Sequence, residues 1–153
     1  MVGMRGPAWL FLFVVLAAAC AGAADPEDEL RSRLEGFFEA TLNGDVAVLD
    51  EYVSDQCPQK AAFLEQTGAL RVLEPVDVIL PEGTFLFDFA ESDVAVAKRA
   101  RAGPPLLING TPVPDDPSDD VPLKLEREDG IWRVVNCDAF VPDGDYGNGQ
   151  APP

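Results

Sequence analysis

Histidine is absent from this sequence, and basic side chains are few: 11 Lys and Arg stand against 27 Asp and Glu, for a formal charge of −16 over 153 residues. Without histidine there is no Ser-His-Asp or Cys-His catalysis, no imidazole acid or base and no His-ligated zinc. The acidic excess, with its few cations scattered, repels phosphate backbones and argues against a nucleic-acid binder. Cysteine is also sparse, with three residues and no CxxC spacing. Apolar residues nonetheless make up 47% of the chain, enough for the core of one domain at this length.

The N-terminus reads as an export signal. Arg5 precedes a stretch from Ala8 to Ala24 in which every residue is apolar or small. At about 17 residues and with an Ala-rich end, the stretch is at the lower limit for a membrane span. Two processing sites compete within it. Leu16-Ala17-Ala18-Ala19-Cys20 resembles a lipobox, after which Cys20 becomes a lipidated N-terminus; Ala21-Gly22-Ala23 offers a cleavage site for a secreted chain. The signal therefore occupies residues 1–23, the lipid-anchored reading is preferred, and the expected location is the cell envelope or the exterior. Cys57 and Cys137 remain as an even pair in an oxidising compartment, so a disulfide is expected. A metal pair or redox dithiol is the poorer alternative, given their separation and the missing histidines.

From residue 25 the pattern is helical first. Asp25-Pro26-Glu27-Asp28 supplies an N-cap, a first-turn proline and acids at the positive end of the dipole. Leu30, Leu34, Phe37, Phe38 and Leu42 then form one stripe until Asn43-Gly44. Asp45 caps a second helix, in which Val46, Leu49, Val53 and Cys57 are expected to share a face. A short third helix follows Pro58, packs Ala62 and Phe63, and stops at Gly68.

The period then changes to two. Leu70, Val72, Val76 and Val78 predict a strand, with Pro75 marking a bulge or edge. A second strand covers Thr84–Ala90, with Phe85, Phe87 and Phe89 on one face and Leu86 and Asp88 on the other. Glu91-Ser92-Asp93 is a turn, and Val94–Arg101 a third strand. Residues 103–122 predict an exposed Pro-rich loop, holding a small hairpin at Asn109-Gly110. Val121–Glu128 and Ile131–Cys137 flank Asp129-Gly130, the strongest hairpin signal in the chain. A two-residue turn there sets Glu126 opposite Arg133 and Leu125 opposite Val134, groups Trp132 with Leu123, Leu125 and Val134, and puts Cys137 with Ile131 and Val135. With both faces apolar near its end, the last strand is expected to be central. Residues 141–153 have no period and are expected to be a disordered tail.

This order of elements, ending in Asp129-Gly130-Ile131-Trp132-Arg133-Val134-Val135, resembles the NTF2-like superfamily, which includes SnoaL-type proteins and ketosteroid isomerase. The resemblance covers about residues 27–140 within a single domain spanning 25–140. It implies an α+β fold, with N-terminal helices packed on a curved antiparallel β-sheet, cone-shaped around a pocket. It implies no single activity, since that fold hosts isomerases, dehydratases, binding modules and dimerising adaptors.

Two functions stay open. A non-catalytic envelope or secreted module would bind a small apolar ligand or a protein partner, with the aromatic residues Phe37, Tyr52, Phe63, Phe85, Phe87 and Trp132 as its pocket; a homodimer is compatible with it. Alternatively, an isomerase or lyase would use Asp88 as general base, its pKa raised between Phe87 and Phe89, with Tyr52 as hydroxyl donor. The plainer reading of the aromatics is core, that of Asp88 a solvent-facing strand position, and that of Tyr52 a helix flank. The first function is preferred. No cofactor or metal is implied: Asp115, Asp116, Asp119 and Asp120 read as a solvated acidic loop, and the Asp143, Asp145 and Asn148 series lacks ligands that a calcium loop needs. The membrane is expected to be touched only through a lipid on Cys20.

Overall fold

The computed structural model describes residues 25–70, 73–115 and 121–140. The protein is α+β: the described residues form three α-helices and two antiparallel sheets that do not close into a barrel. The expected export signal and the expected tail beyond residue 140 lie outside the described residues.

Helix α1 (Pro26–Asn43) begins as its sequence dictates, with the Asp25 carboxylate accepting from the Glu27 amide and Pro26 in the first turn. It ends at Gly44, whose φ of 65° is left-handed and lets its amide return to the Ala40 and Thr41 carbonyls. Leu30, Leu34, Phe37 and Ala40 are buried along one stripe, whereas Leu42, at the far end, is exposed. Helix α2 (Val46–Tyr52) is capped by Asp45, which accepts from the Val48 amide. It stops earlier than its periodicity predicts. Val53 is already extended, forms a parallel bridge with Val134, and is followed by a Ser54 amide that donates to the Val134 carbonyl. Cys57 therefore reaches the core from a turn and not from a helical face. Helix α3 (Lys60–Gly68) buries Phe63.

The larger sheet runs β2 (Phe85–Glu91), β3 (Val94–Arg99), β6 (Leu123–Glu128), β7 (Ile131–Val134), all neighbours antiparallel. Asp129 and Gly130, at φ 53° and 80°, make the tight turn, and the register sets Glu126 opposite Arg133 and Leu125 opposite Val134, as alternation demands. Leu123, Leu125, Trp132 and Val134 are buried on one face together with Ala95 and Ala97. They pack against Leu30, Leu34, Phe37 and Leu49 of the helices. Burial of each large side chain contributes about 1.5–3 kcal/mol before entropy is counted, so this layer holds the fold together. The strand β7 is not central: it ends at Val134 on the sheet edge, met there by the Val53 bridge and the Ser54 amide, and Ile131 is exposed. Cys137 lies beyond it, fully buried in a closing 3-10 turn (Cys137–Phe140), so it does not share a strand face with Ile131.

The smaller sheet was only half legible. Among the described residues, strand β1 (Val78–Ile79) is all that forms of the strand expected from Leu70 onward, and Leu70 is exposed just beyond α3. Asn43 replaces the missing ladder: its side chain donates to the Val76 carbonyl and accepts from the Val76 amide, at 2.9 and 2.7 Å. Strands β4 (Leu107–Ile108) and β5 (Thr111–Pro112) flank the left-handed pair Asn109-Gly110, so the small hairpin forms as predicted. That hairpin is not a free loop: β4 pairs with β1, and the Asn109 side chain accepts from the Asp77 amide at 2.8 Å.

Candidate functional site

The hairpin, α1 and the closing turn meet around an apolar cleft of about 390 Å³. Phe38 comes from α1, one position round from the buried Phe37, and stacks on Phe85 of β2 at 6.0 Å. Leu106 and Ile108 come from the approach to the hairpin and from β4, and Phe140 from the closing turn. A second apolar space of about 270 Å³ adjoins it, sharing Phe38, Thr41 and Phe140 and adding Phe37 and Phe63. Phe140 stands against both of those rings, at 6.1 and 6.3 Å. The Thr41 hydroxyl donates to the Phe37 carbonyl at 2.7 Å, so its proton is already used.

Among the described residues, one cation borders the cleft. Arg99 at the end of β3 donates through Nη1 to the carbonyls of Thr84 and Pro104, at 3.0 and 3.1 Å. Its Nε and Nη2 both donate to Oδ1 of Asp115, at 3.0 and 2.5 Å. The Arg99 side chain is 9% exposed and that of Asp115 48%, so a held guanidinium meets a carboxylate standing at the mouth.

The six aromatics expected to form one pocket do not converge. Phe85 lines the cleft, Phe37 and Phe63 line the adjoining space, and Phe87 borders a cavity of only about 20 Å³. Trp132 is 1% exposed, packed against Phe89 at 6.4 Å with the Arg127 guanidinium 5.3 Å from its ring, and is core. Tyr52 lines a separate groove of about 560 Å³ between α1, α2 and β1, walled by Glu35, Glu39, Asp45 and Asp77. Its ring carries the Arg33 guanidinium at 4.0 Å, and Arg33 is pinned to the carbonyls of Trp132 and Glu51. Burial pulls the Arg33 pKa down from its ordinary value, opposed by the charges of Tyr52 and Glu51. Asp88 is exposed on the β2 face opposite Phe85 and Phe87, across from Val96, and takes no part in the walls of the Tyr52 groove. Strand alternation forbids Asp88 from sharing the face of its Phe neighbours.

Cys57 and Cys137 meet at disulfide distance, with a Cα–Cα separation of 5.9 Å. No helix among the described residues is long and apolar enough to cross a membrane, and no group of three or more His, Cys, Asp or Glu among them could hold a metal ion. Of the acidic loop, Asp115 pairs with Arg99; Asp116, Asp119, Asp120 and the Asp143, Asp145, Asn148 series lie outside the described residues, as does Cys20.

Sequence reasoning missed Arg99, Leu106, Ile108 and Phe140. The Asn109-Gly110 turn is the signal that could have found the middle pair, because it fixes where that hairpin folds back. Comparison with protein-family models finds no match to this chain, and neither does comparison with curated proteins.

Proposed function

We propose that this is an exported, NTF2-like, non-catalytic module of the cell envelope that holds a small apolar ligand in the cleft between α1, the β4–β5 hairpin and the closing turn. The observation that carries the reading is the cleft itself: about 390 Å³ walled by Phe38, Phe85, Leu106, Ile108 and Phe140, beside the buried core cluster. Helices first and antiparallel strands after support the NTF2-like assignment. Pairing of Cys57 with Cys137 supports export, and the lipobox-like Cys20 supports anchoring by acyl chains. The isomerase reading gains nothing comparable, because Asp88 and Tyr52 serve different surfaces. The test is fluorescence of neutral phenylnaphthylamine mixed with the purified protein. Enhancement is expected with the wild type and with Asp88→Asn, and its loss with Leu106→Trp, which fills the cleft. Equal enhancement by the Leu106→Trp variant places the ligand elsewhere.

A further inference from the structure

We infer that the cleft selects an uncharged, elongated apolar molecule, such as a long-chain alcohol, and that Asp115 determines this choice by occupying the guanidinium fork that an acidic head group would otherwise take. The inference rests on reading the cleft as a ligand site.

Among the described residues Arg99 is the one cation lining the cleft, and its Nη1 is held by the Thr84 and Pro104 carbonyls. The remaining edge of the fork, Nε and Nη2, is the geometry that receives carboxylates and phosphates. Left open beneath an apolar cleft, it would make a receptor for fatty acids. Instead both donors converge on Asp115 Oδ1. Because Asp115 is tethered 16 positions along the same chain, it meets the fork at an effective concentration of order millimolar, above that of a sparingly soluble amphiphile. A ligand acid would have to expel this carboxylate and take its place in a molecule with a formal charge of −16.

A neutral chain meets no such barrier. With Arg99 and Asp115 cancelling one another, the described residues of the wall carry no net charge. The Thr41 hydroxyl, having given its proton to Phe37, presents lone pairs that accept from a ligand hydroxyl. The second space beyond Phe38 and Phe140 gives an extended chain somewhere to run.

The experiment compares dodecanol with dodecanoate, each displacing phenylnaphthylamine from the purified protein at neutral pH, in the wild type and in Asp115→Ala. The wild type should bind the alcohol about tenfold more tightly or better, and Asp115→Ala should improve dodecanoate by about tenfold while leaving dodecanol nearly unchanged. Dodecanoate binding the wild type as well as dodecanol, or an alcohol-to-acid ratio unmoved by Asp115→Ala, overturns the inference and leaves the cleft as the site. Failure of both probes to bind the wild type removes the cleft reading and the inference with it. Should Asp115→Ala not fold, the wild-type ratio decides alone.

Discussion

The amide of Cys137 donates to the sulfur of Cys57 at 3.0 Å, across 80 residues of sequence. The closing turn is thus held to the loop between α2 and α3, and Phe140, three positions on, is held with it against Phe63 of α3. Replacing both cysteines by serine should cost on the order of 4 kcal/mol, as expected for opening so long a loop, and should weaken phenylnaphthylamine binding. Urea denaturation of the double variant beside the wild type measures the first effect. Two alkylatable thiols in the native wild-type protein would show that the bond is not made.

Gly36 sits where no side chain fits. A Cβ built there lies 2.2 Å from the Tyr52 hydroxyl oxygen, and Tyr52 is kept from swinging aside by the Arg33 guanidinium over its ring. Alanine is the better helix former by about 1 kcal/mol, yet Gly36→Ala should destabilise the protein by roughly 1–3 kcal/mol. Adding Tyr52→Ala should restore most of what Gly36→Ala loses, relative to Tyr52→Ala alone. A double-mutant cycle by thermal or urea unfolding reads the coupling.

Trp132 is buried, and its Nε1 has no hydrogen-bond partner. Trp132→Ala should cost about 3–5 kcal/mol through the cavity it leaves. Trp132→Phe should cost less than half as much, because it also removes a buried donor whose isolation costs about 1–3 kcal/mol. Equal losses in the two variants would mean that the indole nitrogen is satisfied, for example by water.

Lys60 gathers the end of α2 to the start of α3: its ammonium donates to the Val53 carbonyl at 3.0 Å and pairs with Asp50 and Asp55 at 2.8 and 2.7 Å. The hydrogen bond from Lys60, with its charge, holds the Asp55 pKa below its ordinary value. Burial lowers that of Lys60, but the two carboxylates outweigh it and the net direction is up. Asp55 therefore adds stability above the usual aspartate pKa of about 3.9, lost as pH falls through its depressed folded value. Lys60 adds stability below the usual lysine pKa of about 10.4, lost as pH rises through its elevated one. The effect is small, because Asp55 is exposed. Carboxyl resonances should show Asp55 titrating below the ordinary range in the wild type and returning toward it in Lys60→Met.

What was legible in the sequence was local. Asp25, Pro26 and Gly44 bound α1 through contacts within a turn of themselves, and Asp129-Gly130 fixes the register of β6 and β7 without help from the rest of the chain. What was not legible depended on partners far away. Val53 leaves the helix because Val134 is there to receive it, and of the strand expected from Leu70 the described residues form only Val78–Ile79, whose partner Leu107–Ile108 lies far along the chain. The cleft is the extreme case: Phe38, Phe85, Leu106 and Phe140 come from four separated segments, and no spacing announces that they meet.

The two apolar spaces share the side-chain rings of Phe38 and Phe140 in their linings, together with Thr41. Phe38 comes from the first helix and Phe140 from the closing turn, and turning either aside gives up its present ring contacts, Phe38 on Phe85 or Phe140 on Phe37 and Phe63, at about 0.5–1.5 kcal/mol for each pair lost. For a ligand that fills both spaces, these shared rings act as an internal door. A short occupant leaves the door shut, whereas a long one must hold it open and bear that cost throughout its stay. Affinity should accordingly climb with chain length, pause at the length that first reaches the rings, and climb again beyond it, so that the protein measures its ligand as a ruler with a single graduation.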